Sequence, residues 1–344
     1  CSAKVKSPAY PQAQFAARVT LIAALTRVLT TNTGTASMPM NPATLVQLGL
    51  DQIVPAEVNG RQNGVVNDPA WDAAYHPCAE AFPAADVMAG LVQKTPAYQS
   101  SVYPGTIRDL WLYQTPGCDG STLPQVIFFN DGAWYLGRQG PVRATQVLDS
   151  LFSLGHIKAT VAIFINPGQP DHPVQGPIAS YNHTQSQRSL EYDQLSGRYG
   201  EFLFDEILSW AETQLGFACS RQPVDRTLCG ISSGGIAAFN AAWHFPDQCQ
   251  RVISHCGSYT DIWGGHNYPS LIRTHARKPL RVFLQSGQHD VRSPFGDWPL
   301  ANQMMASALD WAGYDYQFAY GDGGHNLHHG GALFADTLRW LWRD

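Results

Sequence analysis

The residues best placed to do chemistry lie in Gly230-Ile231-Ser232-Ser233-Gly234-Gly235, where a serine has glycine two positions before and two after it. That spacing suits a nucleophile at the tip of a tight strand-to-helix turn: the serine takes a strained backbone, and the glycines let strand and helix pass closely. Arg226-Thr-Leu-Cys-Gly reads as a buried strand before the turn, and Ile236-Ala-Ala-Phe-Asn-Ala-Ala-Trp-His as an Ala-rich helix ending near Pro246. Ser232 Oγ is therefore expected in the open at the strand's C-terminal end, with the Ser233 N–H at the helix N-terminus able to stabilise an oxyanion. Ser233 competes for the nucleophile role, but Ile231 stands two residues before it where the turn wants glycine. The bare motif is common by chance, so its context has to carry the argument.

A serine nucleophile needs a base and an acid to orient that base, and in doubly wound hydrolases both come later in the chain. Gln285-Ser-Gly-Gln-His-Asp290 puts a carboxylate just after the run Leu280–Leu284, and Gly321-Asp-Gly-Gly-His325-Asn puts a histidine on a glycine loop after the last strand. The order Ser232, Asp290, His325 is the stronger signal; Asp297 stands in reserve for the acid, and His328 or His329 for the base. A second oxyanion donor is expected from Asn130-Asp131-Gly132-Ala133-Trp134, with Gly132 and Ala133 as candidates and Trp134 and Tyr135 lining the substrate pocket. The Pro-rich stretch from Pro167 to Arg188 is of the kind that covers a site. It leads into Arg188-Ser-Leu-Glu191-Tyr-Asp193, where Arg188 and Glu191 are candidate substrate contacts; the alternative is that Arg188 pairs with Glu191 while Asp193 caps the helix.

Buried strands at βαβ spacing must position these groups. Val126–Phe129, Thr160–Ile165, Arg226–Gly230, Arg251–His255 and Leu280–Leu284 are short apolar runs, with helical patterns near 142–154, 202–215, 235–244 and 302–312. Thr106–Tyr113 alternates like an antiparallel edge strand, Tyr314–Tyr320 forms the last strand, and a helix closes the chain from about 332 to 342. One large α/β domain over 101–344, preceded by an irregular extension with short helices over 1–100, accounts for the pattern. No role is assigned to that extension.

The chain has 344 residues, of which 44% are hydrophobic and 14% charged, with a net charge of −5, so it can bury a large core and carries no basic footprint for nucleic acid. No apolar run is long enough to span a bilayer, and a small neutral substrate fits the charge. The seven cysteines lack any C-x-x-C spacing. Cys229 and Cys256 fall in expected strands as small buried side chains, and Cys78 with Cys118 and Cys219 with Cys249 would pair in an exported protein. The chain opens Cys1-Ser2-Ala3 rather than on Met, as a processed or truncated chain would. Export to the periplasm or beyond and a cytoplasmic location both fit, and the oligomeric state is open.

The runs Ser101-Val-Tyr-Pro-Gly-Thr-Ile-Arg, Phe129-Asn-Asp-Gly, Phe164-Ile-Asn-Pro-Gly, Glu191-Tyr-Asp, Gly230-Ile-Ser-Ser-Gly-Gly, Trp298-Pro-Leu-Ala-Asn-Gln and Gly323-Gly-His-Asn together resemble the esterases grouped with enterochelin esterase and esterase D, in the α/β-hydrolase superfamily. The resemblance covers about residues 101–344. It implies an α/β-hydrolase fold, a mostly parallel central sheet with helices on both faces, and hydrolysis of a small carboxylic ester without cofactor or metal. Ser232, His325 and Asp290 fall on that family's nucleophile, base and acid. The long loop from Pro167 departs from the group, and the first hundred residues match nothing in it, so substrate does not carry over. Acyl transfer to an alcohol, peptide hydrolysis and a non-catalytic binding module are the alternatives on the same fold. A metal-dependent hydrolase using Asp322, His325, His328 and His329 is a further one, weakened by the lack of a helix-borne ligand pair.

Overall fold

Three six-residue runs, Gln125–Asn130 (β3), Thr160–Ile165 (β4) and Arg226–Ile231 (β6), are buried along their whole length, as strands covered on both faces must be. They form the centre of a nine-stranded sheet in the computed structural model, which describes residues 57–58, 61–62, 68–171 and 187–343. Before them come Leu91–Gln99 (β1) and Thr106–Gln114 (β2), and between β4 and β6 lies the short Gln169–Pro170 (β5). Arg251–His255 (β7), Arg281–His289 (β8) and Asp315–Gly324 (β9) complete the sheet. The order is β9-β8-β7-β6-β3-β4-β2-β1, with β5 also paired to β2. Strands β9 to β4 run parallel, whereas β2 is antiparallel to β4, β1 and β5.

Alternate residues of each central strand face opposite layers. Val126 and Phe128 pack into one apolar cluster with Phe202, Phe239 and Leu309, while Ile127 and Phe129 pack into a second with Val147, Leu151, Phe334 and Leu338. Helices therefore cover both faces. The first cluster takes Ser233–His244 (α6), Tyr268–Thr274 (α7) and Trp298–Trp311 (α8), preceded by Gln187–Tyr192 (α3) and by Arg198–Glu201 (α4), which runs through a π turn at Phe202–Ile207 into Leu208–Leu215 (α5). The second cluster takes Gly132–Leu136 (α1), Ala144–Ser153 (α2) and Phe334–Leu341 (α10), with His328–Ala332 (α9) just before the last. This is the α/β-hydrolase architecture that the resemblance implied. Among the described residues, no helix is long and apolar enough to cross a membrane.

Two expectations are corrected. Thr106–Gln114 is not the edge, because β1 pairs along its outer side. The six described cysteines are free thiols, so neither Cys78–Cys118 nor Cys219–Cys249 is joined. Cys78 packs against one face of the sheet and Cys118 against the other, and the Cys249 thiol donates to the Arg226 carbonyl at 3.1 Å. Cys229 does lie within β6, whereas Cys256 sits one residue past β7 in a left-handed conformation (φ 47°).

Candidate active site

The C-terminal ends of β3, β6, β8 and β9 converge on one rim, and each carries a candidate residue. At the end of β6, Ser232 has φ 61° and ψ −126°, a conformation that L residues rarely adopt and that surrounding structure must enforce. A methyl group at Gly230 would collide with the Gly234 carbonyl, so the strand and α6 can approach this closely only with hydrogen at that position. Hydrogen bonds lock the tip: Ser232 N–H donates to His255 O at 2.9 Å, and Ser258 N–H donates to Ser232 O at 3.1 Å. Ser233 opens α6, so its N–H has no partner one turn back in the helix.

The end of β8 carries Asp290, whose side chain is fully buried and fixed by three donors. Ser286 Oγ donates to Oδ2 at 2.8 Å, Val291 N–H donates to Oδ1 at 2.7 Å, and His325 Nδ1 meets Oδ1 at 2.5 Å. Asp290 and His325 thus meet across 35 residues of chain through the imidazole's Nδ1. Ser232 Oγ lies 3.3 Å from Ser258 Oγ, which also receives Trp298 Nε1–H at 3.2 Å. The Trp298 ring stands edge-on to His325 with centroids 6.3 Å apart. Ser258 and Trp298 therefore join the serine to the histidine's surroundings. The sequence showed neither role: Ser258 belongs to no motif, and Trp298 stands only in one of the runs that carry the resemblance.

The turn after β3 supplies the facing wall. Asp131 takes a left-handed conformation (φ 54°), and the Ala133 N–H is engaged by Asn166 Oδ1 at 3.1 Å. Of the two expected donors here, Ala133 is thus occupied, which leaves the Gly132 N–H. Arg188 clamps Asp131 through two bonds, Nε to Oδ1 at 2.8 Å and an Nη to Oδ2 at 2.7 Å, and lies over the Trp134 ring at 5.9 Å. Burial would lower the Arg188 pKa, but the adjoining Asp131 carboxylate holds it above the ordinary arginine range. Trp134 is 56% exposed at this mouth.

Two expected contacts are not at the surface. Tyr135 is fully buried, with its hydroxyl 2.9 Å from His255 Nδ1, because α1 turns this side chain inward against the second apolar cluster. Burial, with His329 nearby, pushes the His255 pKa down to about 3, so His255 is a neutral imidazole in the core. Glu191 is buried too, and its partner is Arg108, not Arg188. Arg108 donates to both Glu191 oxygens at 2.7 and 2.9 Å, and the Gly168 N–H adds a third bond at 3.2 Å. Leaving either buried charge alone would cost roughly 3–5 kcal/mol, so the pair fixes α3 and, through it, Arg188. Asp193 follows on α3; burial pushes its carboxyl up to about 6, opposed by the Ser189 hydroxyl, by Arg188 and by Ser233.

The histidines weighed for metal binding do not gather. His329 stacks on Tyr75 and meets Gln285 Nε2 at 3.3 Å, while Asp322 accepts from Gln288 Nε2 at 2.7 Å. Among the described residues, the one group with metal-compatible spacing is Cys256, Asp290 and His325, with ligand atoms within 4.8 Å of one another. Burial first, then the Asp290 carboxylate, pushes the Cys256 thiol well above its ordinary range, so it stays protonated beneath the acid. A cavity of about 500 Å³ at Gln125, His156, Lys158 and Trp342 lies away from this rim.

Comparison with known proteins agrees with this architecture. The profile of the Esterase family, described as "Putative esterase", matches residues 114–340. An iron(III) enterobactin esterase from Dickeya dadantii is 27% identical over 252 residues, covering 68% of this chain and 51% of that protein. The chain thus spans about half the length of the curated relative it matches. The ferric enterobactin esterase of Salmonella typhimurium superimposes with a TM-score of 0.58 at 20% identity, covering 77% of this chain and 61% of that one. A feruloyl esterase module from Clostridium thermocellum complexed with sinapinate gives 0.54 at 12% identity, covering 82% and 96%. With the profile matched over most of its length, the chain belongs to this esterase family of the α/β-hydrolase type.

Proposed function

We propose that this chain hydrolyses a small carboxylic ester through an acyl-enzyme formed on Ser232. The observation that carries the proposal is the strained Ser232 elbow on the same rim as the Asp290–His325 pair. Ser232 Oγ attacks the ester carbonyl carbon as its proton passes to His325 Nε2, and Asp290 holds the Nδ1–H and stabilises the imidazolium. The carbonyl oxygen, now negative, rests on the N–H groups of Ser233 and Gly132; losing one such donor costs about two to three orders of magnitude in rate. Collapse expels the alcohol, which takes the proton from His325. Water then gives up a proton to His325 as it attacks the acyl carbon, and a second collapse returns that proton to Ser232 and frees the acid.

The exposed Trp134 beside Arg188 favours an ester with an aromatic group, which could stack on the indole while Arg188 holds a phenolic or carboxylate oxygen. The names of the relatives, enterobactin and feruloyl esterases, lean the same way. Fluorophosphonate labelling with peptide mapping, run beside hydrolysis of p-nitrophenyl acetate and of a feruloyl ester, tests the proposal. The label should land on Ser232, and Ser232→Ala should abolish both label and turnover. A folded wild type that neither labels nor turns over would overturn it.

A further inference from the structure

Residues 68–75 lie before the segment that the family profile matches, yet they touch both loops that carry the acid and the base. Asp68 caps a short turn, Pro69–Asp72, by accepting the Ala70 N–H at 2.9 Å, and this presents three side chains to the rim. Trp71 stacks on His289, the neighbour of Asp290, at 4.3 Å and only 7° from parallel. Asp72 accepts the Gly324 N–H at 3.3 Å through Oδ1 and Asn326 Nδ2 at 2.6 Å through Oδ2, gripping the residues on either side of His325. Tyr75 accepts the Asp322 N–H at 3.1 Å and stacks on His329 at 4.2 Å.

The loop's glycines fit this arrangement. A methyl group at Gly321 would collide with Tyr75 Oη, and one at Gly323 would come within 3.0 Å of Asp72 Oδ1. The glycines beside the base thus make room for residues some 250 positions earlier. Gly321-Asp-Gly-Gly is the end of β9, where the pairing with β8 slips between Gly287 and His289, and glycine there has the most backbone freedom to lose.

We infer that Asp72, with Trp71 and Tyr75, is a positioning element that holds His325 and Asp290 in their working geometry. The inference rests on reading those two residues as base and acid. Asp72 touches no reacting atom in this scheme; it acts through the Gly324 and Asn326 groups that flank the imidazole. Asn326 cannot turn its amide over to suit a changed partner, since its Oδ1 already accepts the His328 N–H at 2.9 Å. A swap of donor and acceptor is therefore a specific test. In Asp72→Asn the new NH₂ must face a donor, either the Asn326 NH₂ or the Gly324 N–H, whereas Asp72→Asn combined with Asn326→Asp restores the bond in reverse and keeps both other acceptors.

The full chain and its variants would be followed by hydrolysis of p-nitrophenyl acetate, by the low-field proton resonance of His325 Nδ1–H, and by thermal unfolding. Losing hydrogen bonds to a charged group corresponds to roughly 10- to 100-fold. Asp72→Ala and Asp72→Asn should lower kcat by that factor with KM unchanged and shift or broaden the resonance, and the swap should restore both. If Asp72→Ala lowers only the unfolding temperature while kcat and the resonance stay put, the inference is wrong. Should that variant fail to fold, Tyr75→Phe removes the acceptor for Asp322 N–H but keeps the ring, and an unchanged kcat and resonance there would equally overturn it. A resonance that responds in a protein without esterase activity would leave the positioning element standing and remove the ester-hydrolase reading instead.

Discussion

Ser232 is held by its near neighbours in sequence and by the strand beside it, whereas His325 is held by Asp72, through contacts that span 252 and 254 residues. The serine's turn is enforced by Gly230 against Gly234 and by hydrogen bonds to His255 and Ser258. The histidine follows the glycine-rich end of β9, whose pairing with β8 slips between Gly287 and His289 and which side chains outside the family segment brace. One side of the site is therefore set by a six-residue motif and the strand next to it, and the other is assembled from distant pieces of chain.

The sharpest way to break this comparison is at the junction of the two sides. Asp290→Asn keeps the side chain's size but presents an amide to His325, so kcat should fall by about three to four orders of magnitude with circular dichroism unchanged. A loss under tenfold would mean that the histidine is oriented by the loop alone. Gly230→Ala probes the other side: a single methyl displaces the elbow, and kcat should fall by roughly 100-fold as the serine moves. Activity within threefold of wild type would show that the elbow is not fixed by local contact.

The smallest effect concerns stability. Asp193 has a folded-state pKa of about 6 against an ordinary 3.8, so the folded protein favours its protonated form. Its contribution to stability is complete below the ordinary value and is lost as pH rises through about 6. Asp193→Asn imitates the protonated acid. Urea unfolding should find variant and wild type alike near pH 4 and the variant more stable by roughly 1–3 kcal/mol above pH 7. Equal stabilities across that range would mean that Arg188 and Ser233 fully compensate the buried charge.

What the sequence made legible divides along the same line. The runs at 126–129, 160–165 and 226–230 announce themselves because strands covered on both faces must be apolar throughout, and the elbow because its spacing is local. Strand β1 was hidden: Leu-Val-Gln-Lys-Thr-Pro-Ala-Tyr-Gln contains a proline, has no alternation and is mostly exposed, so only its pairing with β2 defines it. The inward turn of Tyr135 and the Arg108–Glu191 pair were equally invisible, since each depends on a partner 83 or more positions away. Ser258 belongs to no motif, and the run that begins at Trp298 does not tie it to the serine. The expected pairing of Arg188 with Glu191 followed helical spacing, but burial beside Arg108 claimed the glutamate first.

Strand β1 also closes the described sheet in a way that bears on how the molecule behaves in a crowd. A flat strand edge offers rows of unpaired amide groups to any other extended chain. Here Pro96 lacks a donor, Ala97 adopts φ 54°, the pairing with β2 slips between Thr95 and Tyr98, and Lys94 puts a charge on the strand. A would-be recruit meets a kinked, charged and donor-poor border. Removing β1 would instead uncover β2, whose Leu110, Leu112 and Tyr113 are buried and whose ladder is regular, and would turn a guarded margin into a template for self-association.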